Sequence, residues 1–274
     1  MRPELLSLRL FLAALLALAA GHVSVAQQWH LVQSQPIHQP QVISLDRLGQ
    51  VYVADNQSNL FKFSPQGKLL FTYSPAQRGR LAVVEAWNPV KILLFYEDRQ
   101  QILLLDRFLT PITTIRLNDL STGLIRLATL GGDDQFWIFN ESDFTLSKVD
   151  PRYPDSRLQT NLNQILNNAP YDFRLLREYQ NNVYLVDRNT GIYIFDNMGN
   201  YRKHLPVKGM SSLGFKGDEG YYLQDNQLVF FNLYTHQQRT LPLPAGKSYQ
   251  QVLIGDKTAY LFSGTHLDIY LFEN

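Results

Sequence analysis

The sequence predicts an all-β protein, a six-bladed β-propeller made of four-stranded antiparallel blades. The first observation is a repeated pattern, in which a short apolar strand ends in an acidic or small polar residue and a second apolar strand and a turn follow. The clearest copy runs from Gly49 to Gly67, and another runs from Asn182 to Gly199. Self-similarity at a fixed period in β-rich sequence is typical of propellers and solenoids.

The spacing of the units is the second observation. Their first strands begin near Val42, Leu81, Ile125, Asp172, Ser211 and Tyr249, at intervals of 38 to 47 residues. A four-stranded propeller blade takes about 40 to 50 residues. Glycine and proline turns divide the first unit into short strands, which favours antiparallel sheets. The predicted strands of that unit are Val42 to Asp46, Gln50 to Ala54, Leu60 to Phe63 and Lys68 to Tyr73.

The last unit is the third observation, because it has three strands where the others have four. Residues 29–33 form an apolar segment ahead of the first unit, with no partner nearby in the sequence. We therefore expect residues 29–33 to be the outer strand of the sixth blade, antiparallel to Leu267 to Phe272. In that position Trp29, Leu31 or Val32 would cover apolar side chains of the last blade. Ring closure of this kind removes exposed sheet edges.

The first residues are typical of a secretory signal peptide. Arg2 and Arg9 precede an uncharged apolar run over residues 10–20, and a small-x-small pattern ends at Ala26. The run is shorter than the twenty or so residues of a membrane span. The expected organisation is a signal peptide at 1–26 and a single propeller domain at 27–274, in a protein that is periplasmic or secreted.

The composition limits the possible functions. The chain has no cysteine, which excludes disulfides, a thiolate metal site and a cysteine nucleophile. A formal net charge of +1 gives no electrostatic reason to expect nucleic acid or an anionic membrane as a partner. No second apolar stretch approaches the length of a membrane span, so no direct membrane insertion is expected. The motifs of serine hydrolases, zinc proteases and phosphate-binding loops are missing, and the expectation is a protein without catalytic activity or a cofactor.

Two connections between units are candidates for contact with a partner. Residues 118–123 and residues 160–170 have an apolar spacing that predicts a helical turn in each. Inserted loops on one rim of a rigid scaffold often bind partners, although they can also simply cover the ends of blades. The apolar candidates in these loops are Leu120, Leu162, Ile165 and Leu166.

Three further candidates lie elsewhere. Trp87 falls in a predicted turn between strands and is a candidate for an exposed aromatic anchor. Arg126 and Arg174 lie on predicted inner strands, where each could face the axial channel and hold an anion. An inter-blade hydrogen bond is an equally reasonable role for either arginine.

The ends of the second strands carry oxygen-bearing side chains that allow two interpretations. They could form a ring of metal ligands, or each could accept backbone hydrogen bonds in the turn that follows it. Equivalent positions of different blades lie on a circle and do not converge, which favours the turn interpretation. The residues are Asp55, Glu97, Asn140, Asp187, Asp225 and Ser263.

The segment from Gly49 to Gly67 resembles a unit of the NHL-repeat propellers, a superfamily that contains metal-dependent lactonases and non-catalytic interaction modules. The segments Asn88 to Tyr96 and Gln101 to Asp106 resemble small secreted propellers of Bacteroidota. One type among those is similar to the periplasmic plug subunit of the type 9 secretion translocon. That resemblance implies a protein partner in the cell envelope, associated with an outer-membrane translocon.

Three functions remain open at this point. The first is a non-catalytic interaction module of the envelope. The second is a lactonase or other hydrolase with a divalent cation near the axis, for which the candidate ligands are Asp46, Glu85, Asp172 and Asp218. The third is a carbohydrate-binding or sensor domain, in which an exposed aromatic shelf that includes Trp87 would stack against sugar rings.

Overall fold

The computed structural model describes residues 29–167 and 170–272, so the predicted signal peptide at 1–26 lies outside the described residues. Within them, the chain forms 24 β-strands in six four-stranded antiparallel sheets. The strands are β1 (His30–Pro36), β2 (Val42–Leu45), β3 (Val51–Ala54), β4 (Leu60–Phe63), β5 (Leu69–Tyr73), β6 (Leu81–Glu85), β7 (Ile92–Tyr96), β8 (Gln101–Leu105), β9 (Pro111–Arg116), β10 (Ile125–Leu130), β11 (Phe136–Asn140), β12 (Thr145–Val149), β13 (Arg157–Asn161), β14 (Phe173–Tyr179), β15 (Asn182–Asp187), β16 (Gly191–Asp196), β17 (Tyr201–Leu205), β18 (Gly214–Lys216), β19 (Glu219–Gln224), β20 (Gln227–Asn232), β21 (Gln238–Pro242), β22 (Gln251–Ile254), β23 (Thr258–Phe262) and β24 (His266–Leu271).

Each sheet is one blade of a six-bladed propeller, as the sequence predicts. Blades 1 to 5 take four consecutive strands each, starting with β2, β6, β10, β14 and β18. The first strand of each blade contacts the first strand of at least one neighbouring blade, so these strands surround the axis. In the first blade, every observed strand boundary lies within one residue of its predicted position. Short-range turn chemistry therefore sets the strand boundaries in this blade.

The sixth blade is closed by the N-terminal strand, which confirms the predicted closure. Strand β1 pairs antiparallel with β24, so that His30 lies opposite Leu271 and Pro36 lies opposite His266. The strand is longer than predicted and has a β-bulge after Leu31. A bulge changes which side chains face the sheet neighbours. Here Leu31 and Val32 remain 52% and 56% exposed.

Trp29 makes the apolar contact that the closure requires. Its indole ring lies 5.4 Å from the ring of Tyr270 and 5.9 Å from that of Phe272. Its Nε1 donates a 2.8 Å hydrogen bond to the carbonyl oxygen of Pro242 in blade 5. Trp29 therefore covers the last blade and links it to the preceding one.

A buried carboxylate also anchors β1. Asp268 in β24 is fully buried and accepts a hydrogen bond from the hydroxyl of Ser34 in β1. It also accepts 2.6 Å hydrogen bonds from Nζ of Lys247 and the hydroxyl of Tyr249. Buried carboxylates are stable when they are paired and hydrogen-bonded. Asp268 thus ties the closing strand to the connection that precedes β22.

The hydrophobic core lies between the blades. Six clusters of buried apolar side chains each fill one of the six blade interfaces. Large aromatic side chains such as Tyr52, Trp137 and Tyr260 are completely buried. They provide the large apolar area that packs one sheet face against the next. The repeated aromatic positions of the sequence are therefore inter-blade packing positions.

The antiparallel topology sorts the connections onto the two ends of the propeller. The end that carries the first-to-second and third-to-fourth strand turns is the turn face, and the other end is the mouth face. The turn face comprises residues 46–50, 64–68, 86–91, 106–110, 131–135, 150–156, 180–181, 197–200, 217–218, 233–237 and 255–257. The mouth face comprises residues 37–41, 55–59, 74–80, 97–100, 117–124, 141–144, 162–167, 170–172, 188–190, 206–213, 225–226, 243–250 and 263–265.

The two connections singled out in the sequence both lie on the mouth face and each contains one turn of 3₁₀ helix, at Leu117–Asp119 and Leu162–Gln164. This confirms the predicted helical turns. No helix in the described part of the chain has the length and apolar character needed to cross a membrane.

Candidate functional site: the two ends of the propeller axis

A cavity of about 730 Å³ opens on the mouth face, where the inner strands of blades 1 to 4 converge. We call it the mouth cavity. Its volume lies within the range of about 300 to 1,000 Å³ that is typical of ligand sites. The side chains that define it are Arg80, Glu97, Arg126, Phe144, Tyr171 and Arg174.

One wall of the mouth cavity is aromatic. The rings of Tyr171 and Phe173 stack with centroids 5.2 Å apart and planes within 6° of parallel. Phe144 packs against both, at 5.6 Å and 5.9 Å, and Phe139 backs them at 4.7 Å from Phe173. Three of these rings, those of Phe144, Tyr171 and Phe173, keep part of their surface open to solvent. We call Phe144, Tyr171 and Phe173 the aromatic wall.

Arg126 crosses the other side of the cavity. It pairs with Glu97 of blade 2 and with Glu141 of its own blade, and Arg80 approaches Glu97 at 3.4 Å. The hydrogen bond from Arg126 to Glu141, together with that to Glu97, outweighs partial burial and raises the pKa of Arg126 above its ordinary value. Arg126 therefore faces the channel and bridges two blades, which confirms the inter-blade role considered for it from the sequence.

Arg174 also lines the mouth cavity. Its Nη2 donates a 2.7 Å hydrogen bond to Asp172, and its side chain is 43% exposed. A guanidinium carries five N–H donors, so a single hydrogen bond to Asp172 leaves donor capacity at the cavity surface.

The turn-face end of the channel is crossed by an ion pair. Glu85, at the end of the inner strand of blade 2, lies 3.0 Å from the guanidinium of Arg177 in blade 4. Thr129 of the intervening blade donates a 2.5 Å hydrogen bond to the same carboxylate. Blades 2 and 4 lie on either side of blade 3, so the pair passes the inner strand of blade 3 at the turn-face end of the channel. We call Glu85, Thr129 and Arg177 the axial brace.

Trp87 lies beside the axial brace on the turn face. It is 49% exposed and packs edge to face on Tyr179 at 6.3 Å. Tyr179 in turn stacks on Phe215 at 4.5 Å. Trp87 is therefore held on one side and open on the other, as an aromatic anchor requires.

The apolar residues of the two connections singled out in the sequence are placed differently from what a partner contact needs. Leu120, Leu162 and Leu166 are buried in the cores between blades 2 and 3 and between blades 3 and 4, and Ile165 is partly buried there. The 3₁₀ turns direct these side chains inward because the blade interfaces leave apolar space below them. Of the predicted partner-binding residues, Trp87 and Arg174 are exposed, whereas Arg126 and Ile165 are partly buried.

The strand-end residues mostly serve their own turns. Asp55 accepts from the backbone N–H of Gln57 at 2.8 Å, and comparable bonds are accepted by Asn140, Asp187 and Ser263. Glu97 instead binds Arg126. Asp225 lies in a turn with positive φ angles. These contacts confirm the turn interpretation for four of the six positions.

The four candidate ligands of a metal-dependent hydrolase lie apart. Asp46 accepts from the backbone of Gln50 and from Tyr52, while Glu85 belongs to the axial brace and Asp172 lies in the mouth cavity. The fourth, Asp218, lies in a turn of the turn face. Among the residues that the structure describes, no three His, Asp or Glu side chains are placed to bind a metal ion together.

Exposed apolar side chains distinguish the two faces most clearly. Among the described residues, the mouth face has one large exposed apolar side chain, Leu124. The turn face has seven, drawn from the turns of five of the six blades. They are Leu48, Trp87, Val90, Phe108, Tyr153, Met198 and Tyr234.

The axial brace makes a testable contribution to stability. We expect Glu85→Gln to lower the free energy of unfolding by about 1 to 2 kcal/mol, since it removes a buried ion pair but keeps a hydrogen-bond acceptor for Thr129. Urea unfolding measures the change. Asp119→Asn, which removes the exposed pair with Arg116, is the matched control and should cost less than about 1 kcal/mol. Equal losses in the two variants would contradict a bracing role.

The fold is similar to several solved propeller structures. Over 91% of this chain and 97% of the other, it aligns with the Pan2 WD40 domain of Neurospora crassa at a TM-score of 0.62 and 9% identity. Over 89% of this chain and 97% of the other, it aligns with a streptogramin B lyase at 0.60 and 11% identity. BamB from Moraxella catarrhalis aligns at 0.54 and 12% identity over 89% of this chain and all of the other.

At these identities the likeness shows the fold alone. No family model matches the sequence, and no curated protein matches it. The similar structures include a lyase as well as a WD40 domain, and a propeller can host either binding or catalysis. The features that bear on function are therefore the side chains of the mouth cavity and of the turn face.

Proposed function

We propose that this chain is a non-catalytic interaction module of the cell envelope that docks onto a protein partner through its turn face. The observation that carries the proposal is the concentration of exposed apolar side chains on that face. Exposed apolar side chains that gather on one face of a soluble protein mark interaction sites more often than those scattered over the whole surface. The mouth face has a very different surface, so general surface composition does not account for the difference.

Trp87 is the natural centre of the docking surface. It lies next to the axis and is supported from behind by Tyr179. The exposed side chain of Val90 lies in the same turn, and that of Leu48 lies in the corresponding turn of blade 1. Tryptophan and tyrosine dominate binding energy in protein interfaces because they bury a large area at little entropic cost.

The more specific form of the proposal is an accessory, plug-like subunit of the outer-membrane type 9 secretion translocon, in the periplasm. Two features of the sequence support it: the secretory leader pattern of residues 1–26, and the resemblance of residues 88–96 and 101–106 to the small secreted propellers. The residues that carry this resemblance start in the turn that contains Trp87 and continue through β7 and β8. The sequence resemblance and the docking surface thus meet in blade 2.

Site-directed crosslinking tests the proposal. A photoreactive amino acid is placed at Tyr234 on the turn face and, as the matched control, at Glu141 on the mouth face, in the tagged full chain in its native host. We expect one stoichiometric envelope partner to crosslink from position 234 and none from 141, with a translocon subunit as the partner in the specific form. Crosslinks from position 141 alone, or no partner from either position, would overturn the proposal.

Once a partner is identified, Trp87→Ala gives a quantitative prediction. We expect its dissociation constant for the purified partner to rise at least about tenfold, since a central interface tryptophan contributes 2 kcal/mol or more. Leu31→Ala is the matched control, because Leu31 is similarly exposed but lies on the outer strand of blade 6. Surface plasmon resonance measures both. An unchanged affinity in Trp87→Ala, with the fold intact, would exclude Trp87 as the anchor.

A further inference from the structure

We infer that the mouth cavity binds a neutral oligosaccharide, with a sugar ring packed on the aromatic wall and its hydroxyl groups bound by Asp172, Arg174 and the Arg126–Glu141 pair. This site lies at the other end of the axis from the turn face. It is independent of the proposed docking function, and it does not use Trp87.

The aromatic wall supplies the apolar half of the site. Phe144, Tyr171 and Phe173 pack closely on one another, and Phe139 and Tyr193 hold the group in place at 4.7 Å and 6.2 Å. Their partly exposed surfaces line the cavity. A pyranose ring has an apolar C–H side that can cover such a surface, while its hydroxyl groups point away at the edge. The rings are already in position, so little side-chain entropy is lost on binding.

The charged groups near the aromatic wall supply the polar half. Asp172 and Arg174 follow Tyr171 and Phe173 directly in the sequence and form a 2.7 Å pair. Arg126 and Glu141 form a second pair in the same cavity. Each pair offers hydrogen-bond donors beside acceptors. A sugar hydroxyl donates one hydrogen bond and accepts others, so it can satisfy both members of such a pair.

The balance of charge decides the class of ligand. The mouth cavity is lined by the arginines at positions 80, 126 and 174 and by the carboxylates at positions 55, 97, 141 and 172. Three positive and four negative side chains leave a nearly neutral site, which does not concentrate anions. A phosphate, a nucleic acid or a uronic acid chain would meet excess negative charge. A neutral sugar needs no net charge from the protein.

Isothermal titration calorimetry of the chain without residues 1–26 tests the inference. The probes are the neutral hexasaccharides of β-1,4-glucan, α-1,4-glucan, β-1,4-xylan and chitin, with trigalacturonate as the anionic comparison. We expect at least one neutral probe to bind with a dissociation constant of about 1 mM or lower. No binding of any neutral probe, or tighter binding of trigalacturonate, would overturn the inference.

Two variants locate the binding. Tyr171→Ala should raise the dissociation constant of the neutral probe at least about tenfold, and Arg174→Ala should do the same. Because Arg174→Ala removes an exposed side chain, it remains informative if Tyr171→Ala folds poorly. Trp87→Ala is the control and should bind the probe like the wild type. A probe whose affinity falls in Trp87→Ala and not in the two mouth variants would place the sugar on the turn face and contradict the inference. These sugar-binding measurements do not depend on whether the turn face docks a protein partner.

Discussion

Removing residues 29–36 is expected to lower the melting temperature by about 10 °C or more and to reduce solubility. The deletion takes away the packing of Trp29 on Tyr270 and Phe272 and the hydrogen bond from Ser34 to Asp268. Together these losses are worth at least about 4 kcal/mol, and each kcal/mol corresponds to about 2 to 4 °C in a chain of this size. The deletion also exposes the edge of β24, which invites aggregation.

The matched control keeps the strand and changes its exposed face. Leu31→Ser combined with Val32→Ser alters two side chains that are each more than half exposed, and it should change stability by about 0.5 kcal/mol or less per site. Differential scanning calorimetry of both variants beside the chain starting at residue 27 separates the two cases. A deletion variant that melts like the wild type would show that β1 does not close the ring.

Asp268→Asn is expected to lower the free energy of unfolding by about 2 to 4 kcal/mol at neutral pH. The substitution preserves size but removes a fully buried negative charge that accepts from Lys247, Ser34 and Tyr249. Removing one partner of a buried ion pair leaves the charge of the other partner, here the Lys247 ammonium, without compensation. Urea unfolding measures the loss, and Asp119→Asn again serves as the exposed comparison. A loss no larger than that of Asp119→Asn would contradict the anchoring role.

The stability difference between the wild type and Asp268→Asn should also depend on pH, in a direction that the structure predicts. Burial by itself would raise the pKa of the Asp268 carboxyl, but hydrogen bonds from Lys247, Ser34 and Tyr249 outweigh it and hold the pKa below its ordinary value. A lowered carboxyl pKa stabilises the fold above the unfolded pKa of about 3.9, and this contribution disappears as the pH falls through the folded value. The stability difference between wild type and Asp268→Asn should therefore be constant above about pH 5 and shrink below about pH 4. A difference that grows on acidification would contradict this account.

The blade count and the closing strand could be predicted because both depend on local patterns. Turn glycines such as Gly49 and Gly67, which have positive φ angles of 76° and 82°, mark strand ends directly in the sequence. The exposure of Leu31 and Val32 could not be predicted, because a bulge shifts the alternation of side chains and leaves no mark in the apolar pattern.

The placement of the loop leucines shows a second limit. Leu120, Leu162 and Leu166 were candidates for partner contact because they lie in inserted connections. A single helical turn has one apolar side, and only the three-dimensional structure shows that this side meets the space between two blades. An apolar spacing in a connection predicts a helical turn but does not tell an inward side from an exposed one.

The aromatic wall of the mouth cavity was missed for a related reason. Phe144 comes from blade 3, while Tyr171 and Phe173 lead into blade 4, so the wall exists only once the ring brings the two blades together. The alternation of aromatic and charged residues in Tyr171, Asp172, Phe173 and Arg174 was the one local indication available. All four residues line the mouth cavity, so aromatic and charged side chains meet at the entrance of an inner strand.

The axial brace has a consequence for how the two ends of the molecule can be used. Glu85, Thr129 and Arg177 join three consecutive blades at the turn-face end of the channel, whereas the mouth cavity opens at the opposite end. A large partner seated on the turn face therefore does not cover the opening of the mouth cavity. Both ends can be occupied at the same time, and binding at one end affects the other only through a change in how the blades pack against one another.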